Sequence, residues 1–308
     1  MKPNLLNSSP HIRRDRNTRT IMADVLIALL PAMVAAVWLF GIHALWLLIV
    51  TMAAGALAEL ACLALRREPV YFDGSALVTG ALLALSLPAG TALWAGALAG
   101  AFATVVVKQL FGGIGHNLFN PAMAGRALLM LALPQTMAGF TALDATATAT
   151  PLATLEKNSV VSMLTGLENG SMGETSALLL LLGGAYLYLR GTIRLRVPLT
   201  YLGAFVLLVW MFGGEYLFTG PVVAHVLSGG VMMGAFFIVT DYTTKPATAL
   251  GEILYALGAG ILTALLRLYG PWPEGVCFAV LLMNLATPLI EYLTRPAVYG
   301  IRAARNRT

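Results

Sequence analysis

Apolar runs long enough to cross a lipid bilayer recur along almost the whole chain, and this feature restricts the possible folds more than any other. About 20 helical residues cover a hydrocarbon core about 30 Å thick. Ten such runs lie at residues 21–40, 43–65, 70–88, 92–111, 119–133, 174–189, 197–212, 216–240, 252–269 and 273–293. Apolar residues make up 58% of the sequence and charged residues 11%, whereas a soluble domain carries about 25% charged residues. The sequence therefore predicts an all-α integral membrane protein with ten transmembrane helices.

Three of these runs, at residues 70–88, 119–133 and 216–240, are short or are interrupted by Gly, Pro or Asp. In lipid, an interrupted helix is tolerated only where protein or a cavity covers the backbone groups that lose their partners. We therefore expect discontinuous helices inside the bundle. The first 20 residues are polar and show no signal-peptide cleavage pattern, so we expect the first helix to be retained.

The distribution of basic residues predicts the orientation in the membrane. If the amino terminus is inside, sixteen of the nineteen Lys and Arg residues fall in inner segments. Lys157 and Arg267 fall outside, and Arg126 lies within the fifth run. Because basic residues concentrate in cytoplasmic loops, both termini are expected in the cytoplasm. Topology thus accounts for the net charge of +5, and binding to nucleic acid is not indicated.

The longest connection, residues 134–173, then lies on the outer face and contains "LDATATATPLATLEKNS" at residues 143–159. A connection of about 40 residues in a tight bundle is more often functional than idle, although a solvated threonine-rich linker has the same composition. The chain is therefore divided into a cytoplasmic segment 1–20, a first five-helix unit 21–133, the outer loop 134–173, a second five-helix unit 174–293 and a basic cytoplasmic tail 294–308.

Two pairs of segments indicate an internal repeat. "GSALVTGALLALSLP" at residues 74–88 is similar to "SGGVMMGAFFIVTD" at 228–241, and the segment around Lys108 is similar to that around Arg267. Five helices is an odd number, so the second copy is inverted, with Lys108 inside and Arg267 outside. Inverted repeats with discontinuous helices are typical of transporters with a site near the midplane; the alternative is chance similarity between Gly- and Ala-rich helices. Small-residue stretches such as "GALAGA" and "ALGAG" predict close helix packing.

Five ionisable residues lie within or at the ends of the predicted spans: Asp24, Glu59, Asp73, Arg126 and Asp241. A charge at the bilayer centre costs about 2.5–3.5 kcal/mol on insertion scales, so each needs a reason. Asp24 is interpreted as a structural residue near the interface, opposite the arginine cluster. Asp73 and Asp241 lie at the ends of the corresponding segments, where half-helix ends frame an ion path or a cofactor. Together with Glu59 they are the candidates for an ion pathway.

Arg126 has two interpretations that the sequence leaves open. It forms a buried pair with Glu59 or Asp73, or it binds a phosphate or a reduced flavin ring through its planar guanidinium. The preceding segment "GGIGHNLFNPAMAG" supplies Gly for close backbone approach and the amides of Asn117 and Asn120. These groups suit a planar heterocycle with carbonyl edges, and a re-entrant turn stabilised by Asn is the alternative.

Other chemistry-bearing residues form no recognisable site. Cys62 and Cys277 lie far apart inside apolar runs and are interpreted as packing residues. His116 and His225 stand alone and are expected in the core or at an interface. No Walker loop, GxGxxG, HExxH or haem-type CxxCH motif occurs.

Five segments together resemble the family of membrane subunits called NqrB in the sodium-translocating NADH:quinone oxidoreductase and RnfD in the Rnf complex. The segments span nearly the whole chain in family order: "SSPHIRRDRNTRTIMADVLIALLP", "YFDGSALVTGALLALSLP", "KQLFGGIGHNLFNPAMAGRALL", "DATATATPLATL" and "GGVMMGAFFIVTDYTTKPAT". The short length and the Ser-Ser-Pro-His opening resemble the Rnf D type more than the longer NqrB type. At His116 many family members have Gln.

The resemblance implies FMN joined through its phosphate to a threonine of the outer loop by a flavin transferase. The family motif consists of Asp, two residues, Ser or Thr, Gly, Ala and Thr, usually followed by Pro-Leu. Asp144, Ala149 and Thr150 match it, so Thr150 is the predicted anchor. The chain departs from the motif at the two positions before Ala149, and Thr148, which also follows an Ala, is the alternative acceptor.

The resemblance also implies a function that needs partners. The chain would carry electrons between ferredoxin and NAD through covalent FMN, and through a second, non-covalent flavin such as riboflavin, while Na⁺ or H⁺ is moved across a bacterial or archaeal cytoplasmic membrane. The implied partners are the A, B, C, E and G subunits of the Rnf complex, together with membrane lipid. The repeat by itself would equally suit a flavin-free solute channel or secondary transporter.

Overall fold

The computed structural model describes residues 17–67, 69, 73–138, 170–173, 176–270 and 275–296, and every regular element in these ranges is a helix. The α-helices are α1 (Thr18–Phe40), α2 (Ile42–Leu65), α3 (Ser75–Leu85), α4 (Leu93–Phe102), α5 (Pro121–Ala132), α6 (Pro134–Ala138), α7 (Ala177–Leu189), α8 (Arg196–Phe212), α9 (Val222–Leu227), α10 (Val231–Met233), α11 (Ala249–Tyr269) and α12 (Val276–Thr294). A π-helix continues α4 over Ala103–Gln109, and a second continues α10 over Gly234–Ile238.

Four of the described helices, α1, α2, α11 and α12, are long and apolar enough to cross a membrane, judged by length and composition. Five shorter apolar helices accompany them: α3, α4 with its π-helix, α5, α7 and α8. The prediction of an all-helical membrane protein is confirmed for the described residues. The count of ten spans stays a prediction.

None of the three runs that were expected to be short or interrupted forms a long helix in the described residues. The first contains only the 11 residues of α3, and the second only the 12 residues of α5. The third divides into α9, α10 and the second π-helix, with the break at Ser228–Gly230. Gly229 adopts φ 68° at this break, a left-handed conformation that glycine accepts readily. π-Helical turns are rare and often occur at functional sites.

Glycines let the helices approach closely, as the small-residue stretches predicted. A Cβ on Gly100 of α4 would lie 2.6 Å from the carbonyl oxygen of Thr51 in α2, and one on Gly260 of α11 would lie 2.4 Å from that of Tyr201 in α8. Between the two halves of the chain, α1 packs on α7 and α5 packs on α12. The thiol of Cys277, buried in α12, donates to the carbonyl of Met123 in α5 at 3.1 Å, in agreement with a packing role.

The end of the long outer connection is attached to the carboxyl end of α3. Met172 N donates to Leu87 O at 3.1 Å and Gly173 N to Leu85 O at 2.6 Å. Ser171 and Met172 are fully buried there. The predicted flavin-attachment residues Asp144, Thr148, Ala149 and Thr150 lie outside the described residues.

Candidate cofactor and ion site

A cavity with an empty volume of about 710 Å³ lies where the two halves of the chain meet. Its walls come from α1, α3, the first π-helix and the start of α5 in the first half, and from the end of α7 and the second π-helix in the second half. The short and broken elements therefore surround a cavity, which is the context in which lipid-embedded chains tolerate them.

The start of α5 supplies amide groups to this cavity. Asn120 caps α5, its side-chain oxygen accepting from Met123 N at 3.2 Å, and Pro121 occupies the first helical position, where no N–H is needed. The amide nitrogen of Asn120 donates to Asp241 Oδ2 of the second half at 3.1 Å. Asn117 also lines the cavity, and its buried Oδ1 has no hydrogen-bond partner among the described residues. The predicted residues Asn117, Asn120 and Asp241 are thus brought together.

Asp73 and Asp241 form the same local turn. Asp73 Oδ1 accepts from Ser75 N at 2.8 Å and from Ser75 Oγ at 2.5 Å. Asp241 Oδ1 accepts from Thr243 N at 3.0 Å and from Thr243 Oγ1 at 2.9 Å. In each case the carboxylate satisfies a backbone donor two residues further along the chain. The sequence placed both carboxylates at segment ends, and the structure gives those ends one shared turn geometry.

Tyr242 lies near both carboxylates. Burial raises the pKa of its hydroxyl to about 12, and the negative charges of Asp241 and Asp73 add to the shift. Burial also raises the pKa of Asp241 above its ordinary value, more than its bonds to Thr243 and the nearby charge of Lys245 lower it. A carboxyl group whose pKa is raised at a cavity wall is suited to exchanging a proton or a cation.

A buried polar network extends from the cavity into the first half. Lys108, on the first π-helix, is 2% exposed and donates to Glu59 Oε1 and Ser75 Oγ. Gln109 Nε2 donates to the same oxygen of Glu59 at 2.8 Å. Lys108 also lines the cavity. The sequence placed Lys108 among the inner basic residues and assigned it no partner. Glu59 could have identified Lys108 as a functional residue, because a carboxylate within an apolar helix requires a cation nearby.

Arg126 is buried, at 4% exposed, but it is not among the residues that line the cavity. The two carboxylates predicted as its partners are bonded elsewhere, Glu59 to Lys108 and Gln109, and Asp73 to Ser75. The structure therefore does not join Arg126 to Asn117 and Asn120 as one site. The physical reason is the helix itself, because six residues of α5 beyond Asn120 amount to about 9 Å along its axis.

Asp24 and the two isolated histidines are also placed by the structure. Asp24 is buried and accepts from Arg190 Nε at 3.0 Å and from Tyr186 OH at 3.2 Å, so it joins α1 to α7 as a structural residue. His225 is buried, as expected for a core residue, whereas His116 is exposed, which corrects the core alternative for that residue.

Arg267, which the sequence analysis assigned to the outer side, is buried in the last turn of α11. Its Nη1 donates to the carbonyls of His225 at 2.5 Å and Ser228 at 3.1 Å, and its guanidinium lies 5.3 Å from the ring centre of Phe205. These two carbonyls belong to the break between α9 and α10. Arg267 thus binds at the start of the second broken segment, as Lys108 binds Ser75 at the start of the first.

The wall of the cavity is mainly apolar, with polar groups at one side. Val25, Val78, Leu82, Phe236 and Phe237 supply apolar walls, and the polar groups are concentrated at Asn117, Asn120 and Asp241. The unpartnered amide oxygen of Asn117 is an acceptor that a ring N–H would satisfy. Among the described residues, no three His, Cys, Asp or Glu side chains are grouped so that they could hold a metal ion.

Comparisons with known proteins give one consistent result. Residues 5–300 match the NQR2, RnfD, RnfE family. The chain is 43% identical to the D subunit of the Na(+)-translocating ferredoxin:NAD(+) oxidoreductase complex of Acetobacterium woodii, over 96% of this chain and 95% of the relative. It is 42% identical to the D subunit of the proton-translocating ferredoxin:NAD(+) oxidoreductase complex of Clostridium ljungdahlii, over 96% of each. It is 36% identical to the D subunit of the ion-translocating oxidoreductase complex of Escherichia coli strain K12, over 96% of this chain and 98% of the relative.

Proposed function

The chain belongs to the NQR2, RnfD, RnfE family, and from this premise we propose that it is a D-type membrane subunit of an ion-translocating ferredoxin:NAD⁺ oxidoreductase. The observation that carries the proposal is the similarity to the D subunits of two such complexes at 42–43% identity, which covers nearly the full length of both partners. The subunit works with the other Rnf subunits, of the A, B, C, E and G types. It is not catalytic alone.

The proposed architecture is ten transmembrane helices in two inverted five-helix repeats, with both termini in the cytoplasm. Equivalent helices pair across the two halves: the first helix of each repeat, α1 and α7, and the last, α5 and α12. Lys108 and Arg267, which occupy corresponding positions in the sequence repeat, each bind the start of a broken segment. Both observations are expected of a two-fold arrangement, and they support the inverted repeat over chance similarity.

In the outer loop, FMN is proposed to be attached through its phosphate to Thr150, by a flavin transferase that recognises Asp144 and Ala149. The support is the register of Asp144, Ala149, Thr150 and the following Pro-Leu. Thr148 is the alternative acceptor. A covalent bond would retain the carrier in the outer loop, while the cofactor supplies the redox chemistry.

The cavity between the halves is the proposed place for a second, non-covalent flavin such as riboflavin. A flavin bound there would supply one- and two-electron transfer. Residues of this chain would hold it: Asn117 Oδ1 is free to accept from a ring N–H, Phe236 and Phe237 would supply apolar wall, and Asn120 is held in place by its bond to Asp241. The positive charge of Lys108, which also lines the cavity, would favour a negatively charged group bound there.

The ion pathway is proposed to use Asp241 and Asp73 at the cavity, with Glu59 further along the network. Two relatives of nearly equal identity are named for different ions, sodium in one and protons in the other. The transport assay therefore measures both ions: electron transfer in sealed vesicles that hold the complete complex is followed with a sodium isotope and with a pH dye. Asp241→Asn is expected to lower the ion movement per electron without removing FMN.

The attachment of FMN is tested on a denaturing gel viewed under ultraviolet light, with protein from a host that contains the transferase. We expect a fluorescent band that Thr150→Val abolishes and that Thr146→Val, a matched control in the same loop, leaves intact. A band that survives Thr150→Val and is lost with Thr148→Val would place the anchor at the alternative acceptor. The absence of any band in the unmodified protein would favour a flavin-free channel or secondary transporter.

A further inference from the structure

A buried cluster of neutral polar side chains lies next to Asp241 and takes no part in lining the cavity between the two halves. It consists of Thr244, in the turn that follows Asp241, Tyr255 of α11 and Asn284 of α12, which are 4%, 0% and 0% exposed. Thr287, also on α12, donates through Oγ1 to Thr244 O at 3.1 Å. The turn, α11 and α12 therefore meet at this cluster, and Asp241 lies at its border with the cavity.

The cluster contains more hydrogen-bonding groups than hydrogen bonds. Tyr255 OH donates to Asn284 Oδ1 at 2.6 Å, and since a phenol has one proton, its oxygen is left to accept. The hydroxyl of Thr244 lies close to that oxygen and to the carboxyl group of Asp241, but it forms a well-aligned hydrogen bond with neither. Asn284 Nδ2 also has no partner among the described residues. Most buried polar atoms are hydrogen-bonded, so these open groups need an explanation.

Thr244 has one hydroxyl proton and two acceptors for it. A carboxylate accepts about four hydrogen bonds, and Asp241 receives three, from Thr243 N, Thr243 Oγ1 and Asn120 Nδ2. One position is therefore open to Thr244. A bond to a charged carboxylate is stronger than one to a neutral phenol, so Thr244 donates to Asp241 while that group is charged. Once a cation neutralises Asp241, this preference is lost, and the oxygen of Tyr255 can take the hydrogen bond.

The corresponding carboxylate of the first half has a different environment. Ser75 Oγ donates to Asp73 at 2.5 Å and accepts from the ammonium group of Lys108. A fixed positive charge thus lies behind Asp73, whereas the cluster behind Asp241 is neutral. Lys108 stabilises the charged form of its carboxylate permanently, while Asp241 has a donor that can change its acceptor.

The charged groups around Asp241 are independent of this donor. Lys245, which follows on the same turn, is bonded to Glu252. Among the described residues, the charged and titratable groups that face Asp241 are Lys245, Tyr242, Tyr255 of α11, Lys108 across the cavity and, beyond Tyr242, Asp73. A substitution of Thr244 leaves all of them in place. A change in the cation affinity of Asp241 can therefore be assigned to the hydroxyl of Thr244.

We propose that Thr244, Tyr255 and Asn284 are positioning residues for the cation that Asp241 exchanges, with the hydroxyl of Thr244 as a switch between two acceptors. Thr244 donates to the carboxylate when the cation, H⁺ or Na⁺, has left, and to Tyr255 when the cation is bound. The proton of Thr244 stays on its own oxygen throughout. Asn284 engages the proton of Tyr255 and so keeps the phenol oxygen as an acceptor. The inference rests on the proposed role of Asp241 in the ion pathway, and it adds the residues that set the affinity of Asp241 for its cation.

The test measures cation binding to the purified full-length chain. Protonation is followed through the infrared carboxyl band that is lost in Asp241→Asn, in a pH titration without sodium. Sodium binding is measured by equilibrium dialysis with a sodium isotope, at a pH at which this carboxyl group is ionised. The experiment in which Asp241→Asn abolishes binding identifies the cation.

Two variants are expected to shift the affinity in opposite directions. Thr244→Val removes a bond that is stronger in the cation-free state, so the cation should bind about fivefold more tightly. Tyr255→Phe removes the acceptor that is used in the cation-bound state, so the cation should bind about fivefold more weakly. For protonation, a fivefold change moves the pH of half-protonation by about 0.7. A purely structural role of the cluster would weaken binding in both variants.

Three further variants separate the switch from general damage to the core. Thr244→Ser restores the hydroxyl and should restore the affinity of the unmodified chain. Tyr201→Phe removes the hydroxyl of another fully buried tyrosine, bonded to Thr263 at 3.2 Å, and should change nothing. In Thr244→Val/Tyr255→Phe the second change should add nothing to the first, because Tyr255 acts only through Thr244.

The possible failures are distinguishable. Shifts of Thr244→Val and Tyr255→Phe in the same direction, or equal affinities in all variants, overturn the switch but leave Asp241 in the ion pathway. A carboxyl band that is unchanged over the pH titration, together with no sodium binding, removes Asp241 from the ion pathway and the switch with it. If Thr244→Val does not fold, Tyr255→Phe against Tyr201→Phe decides, and equal affinities of these two overturn the proposal.

Discussion

Replacing Lys108 by Met should destabilise the protein strongly, because it breaks a buried ion pair on one side only. The side chains of Lys108 and Glu59 are 3% and 7% exposed. Removing one partner of such a pair typically costs about 3–5 kcal/mol, since the other charge stays buried. Gln109 still donates to Glu59 at 2.8 Å, so we expect a value near the lower limit, about 3 kcal/mol.

The assay is thermal unfolding of the detergent-solubilised chain at one fixed scan rate. With about 2 °C for each kcal/mol in a chain of this size, Lys108→Met should unfold about 6 °C below the unmodified protein. The double variant Lys108→Met/Glu59→Gln removes both charges, and it should recover at least half of this loss because no charge is left buried. Arg295→Gln, an exposed charge change, serves as the control. The reasoning is refuted if the double variant unfolds at a lower temperature than the single one, or if Lys108→Met leaves the unfolding temperature unchanged.

Two further predictions concern packing and pH. Gly260→Val should separate α11 from α8, because a Cβ would lie 2.4 Å from Tyr201 O, whereas Gly203→Ala meets no atom within 4 Å and should be nearly neutral; unfolding temperatures compare the two. Burial raises the pKa of Asp241 above 3.8, so its contribution to stability is fully present below pH 3.8 and is lost as the pH rises through the raised value. At pH 7 Asp241→Asn should therefore unfold at a higher temperature than the unmodified chain, and this difference should shrink as the pH is lowered. A difference that grows on acidification would contradict the sign of the argument. Glu215→Gln, at an exposed position, is the control.

The broken helices were predictable because their causes are local. Gly and Pro interrupt helices through their own backbone chemistry, and a run that is too short to span a membrane can be read from hydropathy alone. The Asn120-Pro121 start of α5 and the small-residue contacts of Gly100 and Gly260 follow from equally local rules. The attachment of FMN at Thr150 rests on the register of a short motif and stays a prediction.

The partners of the polar groups were not predictable, because they depend on where distant segments meet. The sequence offered Glu59 or Asp73 to Arg126, yet Glu59 is bonded to Lys108, 49 residues further along the chain. Arg267 was assigned to the outer side by the spacing of the helices, and only the fold shows that it is buried against the break before α10.

The sequence by itself determined that this chain is a helical membrane protein. It also determined which segments are broken and which charged residues need a partner. These properties follow from the hydrophobicity of individual residues, the length of apolar runs and the cost of a charge in lipid. Only the tertiary structure decided that Asn120 binds Asp241, 121 residues away, at a cavity shared by the two halves. A charged side chain in the membrane needs a partner, but the linear sequence contains several residues that could fill this role equally well. The packing of α1 on α7 and of α5 on α12 selects among them.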